Sequence, residues 1–253
     1  MFAVLGESYV SAGMLAAVVM CAGLLRGFAG FGSSLLIVPV LGFSIGPTVA
    51  VAIATMLEGV ATMLLLPASL KRADRRMMLI MSPCAAMAIP AGHALLVSLD
   101  PTLSNIAISG AVLTMTALIV AGARLPLRHS SAGHAVAGGL QGFFTGFGGV
   151  GGPPLVLYIL AGEASPATKR ASIITVSSIS LSIALFSTAH FGLLTREALQ
   201  GAAVLTPAFL LGGVAGSYLF RMAGDRFFQR VALTGLMLAV LALFTANLTR
   251  ALS

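Results

Sequence analysis

Two ionisable side chains sit inside runs that are otherwise apolar. Arg26 heads the stretch RGFAGFGSSLLIVP, residues 26–39, and Glu58 lies near the middle of the next apolar run, 47–67. A charged side chain at membrane depth costs on the order of 2.5–3.5 kcal/mol, so it snorkels, pairs with an opposite charge or lines a functional cavity. The planar donor fork of an arginine suits oxyanions. A buried carboxylate can act as its counter-ion, as a proton carrier or as a gate. Gly30 and Gly32, which follow Arg26, interrupt the helix that would otherwise continue. An interrupted helix leaves a second half-helix whose first N–H groups are unpaired, and that end is an anion site. Ser33 and Ser34 fall at the start of that half-helix and add hydroxyl donors.

The device is repeated. Residues 25–32, LRGFAGFG, line up with 140–148, LQGFFTGFG, after a one-residue insertion, and each stretch is followed by an apolar run containing proline. Gln141 stands where Arg26 stands and is also a donor, while Gly148, Gly149, Gly151 and Gly152 let a ligand approach bare backbone. A second match keeps the order: Pro83 with Gly92 corresponds to Pro207 with Gly216. The candidate substrate-binding set is therefore Arg26, Gly30, Gly32, Ser33, Ser34, Gln141, Gly148, Gly149 and Gly151, with Glu58 as the candidate coupling or gating residue. No acid corresponds to Glu58 in the second half, where Thr175, Ser177 and Ser178 are polar but neutral, so any proton coupling is asymmetric. The competing reading of the glycines is close helix packing.

Other chemistries fit less well. No Gly-Lys-Ser/Thr follows the glycines, which excludes a phosphate-binding loop. A hydrolase built from Ser33 or Ser34 with His93 or His190 lacks the Gly-x-Ser-x-Gly elbow and an acid placed to orient the histidine. The four histidines read as interfacial, His93 and His190 near segment ends and His129 and His134 in a basic linker. Cys21 and Cys84 lie singly in apolar runs without ligand spacing and read as packing residues rather than a metal site or disulfide. Nothing calls for a cofactor or a metal.

The elements that must position these residues are membrane helices. Of 253 residues, 58% are hydrophobic and 8% charged, and the mean hydropathy is +1.04, a composition that a soluble core of this length could not cover with polar surface. Apolar segments are predicted at about 8–43, 47–67, 77–98, 102–122, 133–161, 171–191, 197–220 and 230–249. A span of about 30 Å needs about 20 residues at 1.5 Å each, so the first and fifth are too long for one crossing and are read as broken or re-entrant. The fold expected is an all-α transmembrane bundle forming one transport-type domain over 1–253, with repeat one at about 8–122, a basic linker at about 123–133 and repeat two at about 134–250. With Glu7 before the first run and no small-residue cleavage site, that run is read as a retained membrane segment.

The net charge of +7 reads as a topology signal rather than a nucleic-acid surface, because the basic residues cluster between apolar segments. If each broken segment returns to the side it entered from, or crosses twice, eleven of the fourteen Lys and Arg fall on one face and only Arg196 and Arg250 on the other, with Arg26 inside. If each crosses once, the division is eight against five. The positive-inside rule favours the first arrangement, in which the repeats are inverted and both termini lie outside.

In length, in its two related halves and in the Gly-Phe-Gly elements with following prolines at 27–39 and 142–154, the chain resembles the sulfite exporter TauE/SafE family of bacterial membrane permeases. The resemblance implies a multi-pass protein of the cytoplasmic (inner) membrane that carries small sulfur-containing anions such as sulfite, sulfoacetate or related sulfonates, and no enzyme. The partners implied are a small anionic substrate and the lipid bilayer, with protons as a candidate coupling ion. Export by alternating access is the leading reading, since an inside-negative potential gives about 2.3 kcal/mol per charge per 100 mV to a departing monoanion. A proton-coupled uptake permease and a passive anion channel are the alternatives.

Overall fold

The structure is a computed structural model that describes residues 9–222, apart from 124, 126 and 128, together with residue 241. Among these residues there are nine helices and no strand. The first long segment is two helices, α1 (Tyr9–Ala29) and α2 (Ser33–Ile45), and the fifth is α6 (Ser131–Gly148) and α7 (Gly152–Leu160). Between and after them run α3 (Pro47–Ser69), α4 (Arg75–Ser98), α5 (Pro101–Val120), α8 (Pro166–His190) and α9 (Arg196–Met222). The segment expected at 230–249, the linker's Arg124 and Arg128 and the basic residues Arg226, Arg230 and Arg250 lie outside the described residues. Among the described residues, α4, α5, α8 and α9 are long and apolar enough to cross a membrane.

Local chemistry sets the element ends. Asp74 caps α4 by accepting from the Met77 N–H, and Asp100 caps α5 by accepting from Thr102 and Leu103. Ser130 and Ser165 cap α6 and α8, and proline opens α3, α5 and α8, where its missing N–H has no partner to lose. The first break is made by Gly30 and Gly32 at φ of 82° and 95°, and the second by Gly149 at 66°, backbone that a side chain strains.

Both broken pairs are hairpins. α1 runs alongside α9 in the same direction, since Gly23 meets the Phe209 backbone and Gly27 that of Gly213; α2 then turns back, and Gly42 at its far end accepts a hydrogen bond of 3.0 Å from Asn105 at the start of α5. α6 runs alongside α4, with Gly138, Gly142 and Gly146 against the backbones of Met81, Ala85 and Ile89, and α7 returns so that Leu125 N–H reaches Leu157 O. The α6–α7 pair opens at the end where Arg76 donates to Ser131 Oγ (3.1 Å) and the Asp74 N–H to Ser172 Oγ (2.9 Å). Lys71 and Arg72, with Arg75 and Arg76 at the start of α4 and Lys169 and Arg170 at the start of α8, thus share one end with the linker.

The interior helix is α8. In its apolar stretch 72% of residues are buried, against 33% or less in α4, α5 and α9, so α8 is enclosed by protein and the other three present a broad face outward. Ser172, Thr175, Ser177, Ser178 and Ser180 bury hydroxyls around this helix, with Ser172 meeting the Asp74 N–H, Thr175 meeting Ser69 of α3 and Ser180 meeting Gln141 of α6.

Candidate functional site

The turns of the two hairpins meet in the middle of the bundle. A methyl group on Gly149 would touch the Ser34 side chain, and one on Gly152 would touch the Phe31 ring. Between them lies a narrow cavity lined by Arg26, Phe31, Gly32, Ser34, Glu58, Gln141, Thr145, Gly149, Gly151, Gly152, Ser177 and Leu181. It has room for about one water.

Glu58 projects from the middle of α3 onto the first turn of α2. Its Oε1 accepts hydrogen bonds from Ser33 Oγ and from the Ser34 N–H, the latter at 3.1 Å. Its Oε2 lies 3.8 Å from Arg26 Nη1. Both side chains are buried, Arg26 being 3% and Glu58 4% exposed. The half-helix N-terminus that the glycine break creates therefore already holds an anion, and that anion belongs to the protein. Arg26 is only partly engaged by it, because its Nε and Nη2 are buried without a hydrogen-bond partner. Ser177 Oγ, on α8 at the same cavity, is likewise buried and unpartnered. Leaving buried donors unpaired costs about 1–3 kcal/mol each, more for a charged group, which points to a ligand with acceptor oxygens.

Gln141 enters from α6, where Arg26 enters from α1. Its amide is fixed at both ends, the oxygen accepting from Ser180 Oγ (3.0 Å) and the nitrogen donating to Thr145 Oγ1 (3.1 Å), while Thr145 Oγ1 donates to the Gln141 carbonyl at 2.8 Å. The second half-helix end is a poorer donor than the first. Pro153 and Pro154 occupy its first turn and have no N–H, so Gly151 and Gly152 supply what backbone donors there are.

Of the residues singled out from sequence, Arg26, Gly32, Ser34, Glu58, Gln141, Gly149 and Gly151 line one cavity, and Ser33 touches it through Glu58. Gly30 and Gly148 do not line it. Gly30 turns the chain beside the Ile174 side chain, and Gly148 ends α6 against Ile108 and Val150. Gly152, read with its neighbours as bare backbone, and Ser177, noted as a neutral counterpart of the Glu58 region, also line the cavity; Thr145 was not singled out, although the insertion that separates the two Gly-Phe-Gly motifs falls at Phe144–Thr145 and marks a local difference in backbone. The histidine assignment needs correction for two of four. His93 is wholly buried, with Nδ1 2.8 Å from Ser187 Oγ and Nε2 3.3 Å from Thr188 Oγ1, and His134 is buried with Nδ1 2.7 Å from the Tyr158 hydroxyl. Cys21 is exposed on the apolar surface of α1 rather than packed inside, because the buried side of α1 is the one that faces α9.

Compared with known families, residues 15–243 match the family described as Sulfite exporter TauE/SafE. No curated protein and no solved structure matches the chain.

Proposed function

From the premise that the chain belongs to the sulfite exporter TauE/SafE family, a family of membrane transporters of sulfite or related anions, we propose that the cavity at the meeting point of the two hairpins is its anion site. The site takes a small sulfur oxyanion or sulfonate and passes it outward by alternating access. The observation that carries this reading is Arg26, buried to 3% with Nε and Nη2 unpartnered, facing the first turn of α2. A sulfite or sulfonate head has three oxygens on one sulfur. The free nitrogens of Arg26 and Ser177 Oγ offer donors to two sides of such a head, and charge assistance makes the arginine bonds the strong ones.

The space between these groups is too narrow to pass a polyatomic anion, which suits a carrier that opens to one side at a time better than an open pore. Export needs no coupling ion, because the potential alone drives a monoanion outward by about 50-fold per 100 mV. Proton-coupled uptake is the second reading, and the observation in its favour is the contact of Glu58 with Ser33, Ser34 and Arg26.

The test is stabilisation of purified protein by sulfite, thiosulfate, sulfoacetate, sulfate and acetate. Stabilisation by the sulfur oxyanions, in preference to acetate, is expected; at 100 times the dissociation constant it amounts to about 2.7 kcal/mol. Measured against E58Q, the double variant R26A/E58Q, where no charge is left unpaired, should bind about 10- to 100-fold more weakly, the equivalent of one charged hydrogen bond. Unchanged affinity in that variant removes Arg26 from the site, and stabilisation by none of the anions ends the reading.

A further inference from the structure

We propose that the Glu58 carboxylate is a tethered ligand of the anion site, which an incoming anion must displace, and that the displaced carboxylate takes up a proton. The inference rests on the reading of the cavity as an anion site and adds how that site is regulated. Three observations converge on it. The carboxylate takes a hydroxyl donor from Ser33, a backbone donor from Ser34 at the first turn of α2, and the charge of Arg26 at 3.8 Å from Nη1. These are the groups that a bound anion would use, so occupancy by Glu58 and occupancy by substrate compete for the same donors. Secondly, the cavity has room for about one water beside the carboxylate, so a polyatomic anion does not fit while Glu58 stays where it is. Thirdly, Arg26 keeps two buried nitrogens free, which gives an arriving anion a first foothold before Glu58 has moved.

Charge decides the protonation step. Among the described residues lining the cavity Arg26 is the only other charged one; Ser33 and Ser34 from α2, Gln141 and Thr145 from α6 and Ser177 from α8 are neutral. A substrate anion and an ionised Glu58 would therefore place two negative charges beside one positive charge among buried side chains. Like charges at such separation favour protonation of one of them. The proton goes to the Glu58 carboxylate, since a sulfonate does not hold one. Anion binding and proton binding are then linked, each strengthening the other by the same factor.

The experiment is titration calorimetry of the purified full chain with sulfoacetate between pH 6 and 9, a range in which both acidic groups of that probe stay ionised, in buffers of different ionisation enthalpy. The expected result is uptake of up to one proton per anion bound and an affinity that rises as pH falls, by as much as tenfold per unit. E58Q, which keeps the size and one acceptor of the side chain, should bind sulfoacetate with no proton uptake and a flat pH profile, and more tightly than the parent at pH 9. Binding without proton uptake in the parent overturns the tethered-ligand proposal while leaving the anion site standing, as does an equal pH slope in E58Q. Binding by neither protein at any pH overturns both. Proton uptake is read on the unmodified chain, so the test does not depend on how well the variant folds.

Discussion

Truncating Arg26 to alanine leaves the Glu58 carboxylate buried against Ser33 and Ser34 with no cation beside it among the described residues. Removing one partner of a buried pair costs about 3–5 kcal/mol, whereas replacing both is far milder, because the penalty lies in the orphaned charge. R26A should therefore unfold at a clearly lower temperature in detergent, and R26A/E58Q should regain most of the loss; equal Tm values for R26A and the parent would mean that water reaches the pair. The two residues were legible from sequence because a charge inside an apolar run has few reasons to be there. Their pairing was one of three roles open to Glu58, and the choice among them was not legible, since it depends on a turn of α1–α2 against the middle of α3. His93 shows the same limit from the other side. Its place near the end of α4 suggested an interface, yet Ser187 and Thr188 of α8 cover it, and nothing local to α4 announces which helix packs there.

The glycines separate into two kinds once the elements are in place. Gly30, Gly32 and Gly149 make turns at positive φ, while Gly27, Gly142 and Gly146 let helices approach until a methyl group would overlap a facing backbone carbonyl. The motif spacing revealed the break but not this division, because both uses select the same residue. Another element-level feature is the seam between α3 and α8. From the cavity toward the basic end it carries Thr62, Ser177 and Ser178, whose hydroxyls are buried without partners, and then the hydrogen bond of 3.1 Å from Thr175 Oγ1 to Ser69 Oγ. Unpaired hydroxyls are costly in a dry interior and are well placed to solvate an anion when the helices part. With Cys21 and Cys84 replaced by serine, T62C and T175C should react with a charged, membrane-impermeant thiol reagent applied from the basic side, and sulfite should slow the reaction. No reaction under transport conditions would assign the seam to packing alone.

At the scale of the molecule, each hairpin packs along the third long helix of the other half, α1 on α9 and α6 on α4, and the hairpins enter from opposite ends. We infer from this exchange that the halves are inverted copies. If Gly23 and Gly27 are matched to Gly138 and Gly142, their partners Phe209 and Gly213 correspond to Met81 and Ala85, one helical turn from the pairing that Pro83 and Pro207 suggested. The slip was not legible because a helix sliding by a turn of about 5.4 Å presents the same face again. The inverted arrangement also makes a topological demand that the charge count alone could not enforce. If α6–α7 returns to its starting side, Arg72 and Glu163 lie together and Glu197 lies opposite; if that segment crossed once, as the first would also, Arg72 and Glu197 would lie together and Glu163 opposite. All three side chains are exposed. In the cysteine-free background, R72C and E163C should be labelled by an impermeant maleimide only after the cells are permeabilised, and E197C in intact cells. Labelling of E163C alone from outside would exclude the inverted fold, and with it the convergence of the α1–α2 turn and the α6–α7 turn on one anion.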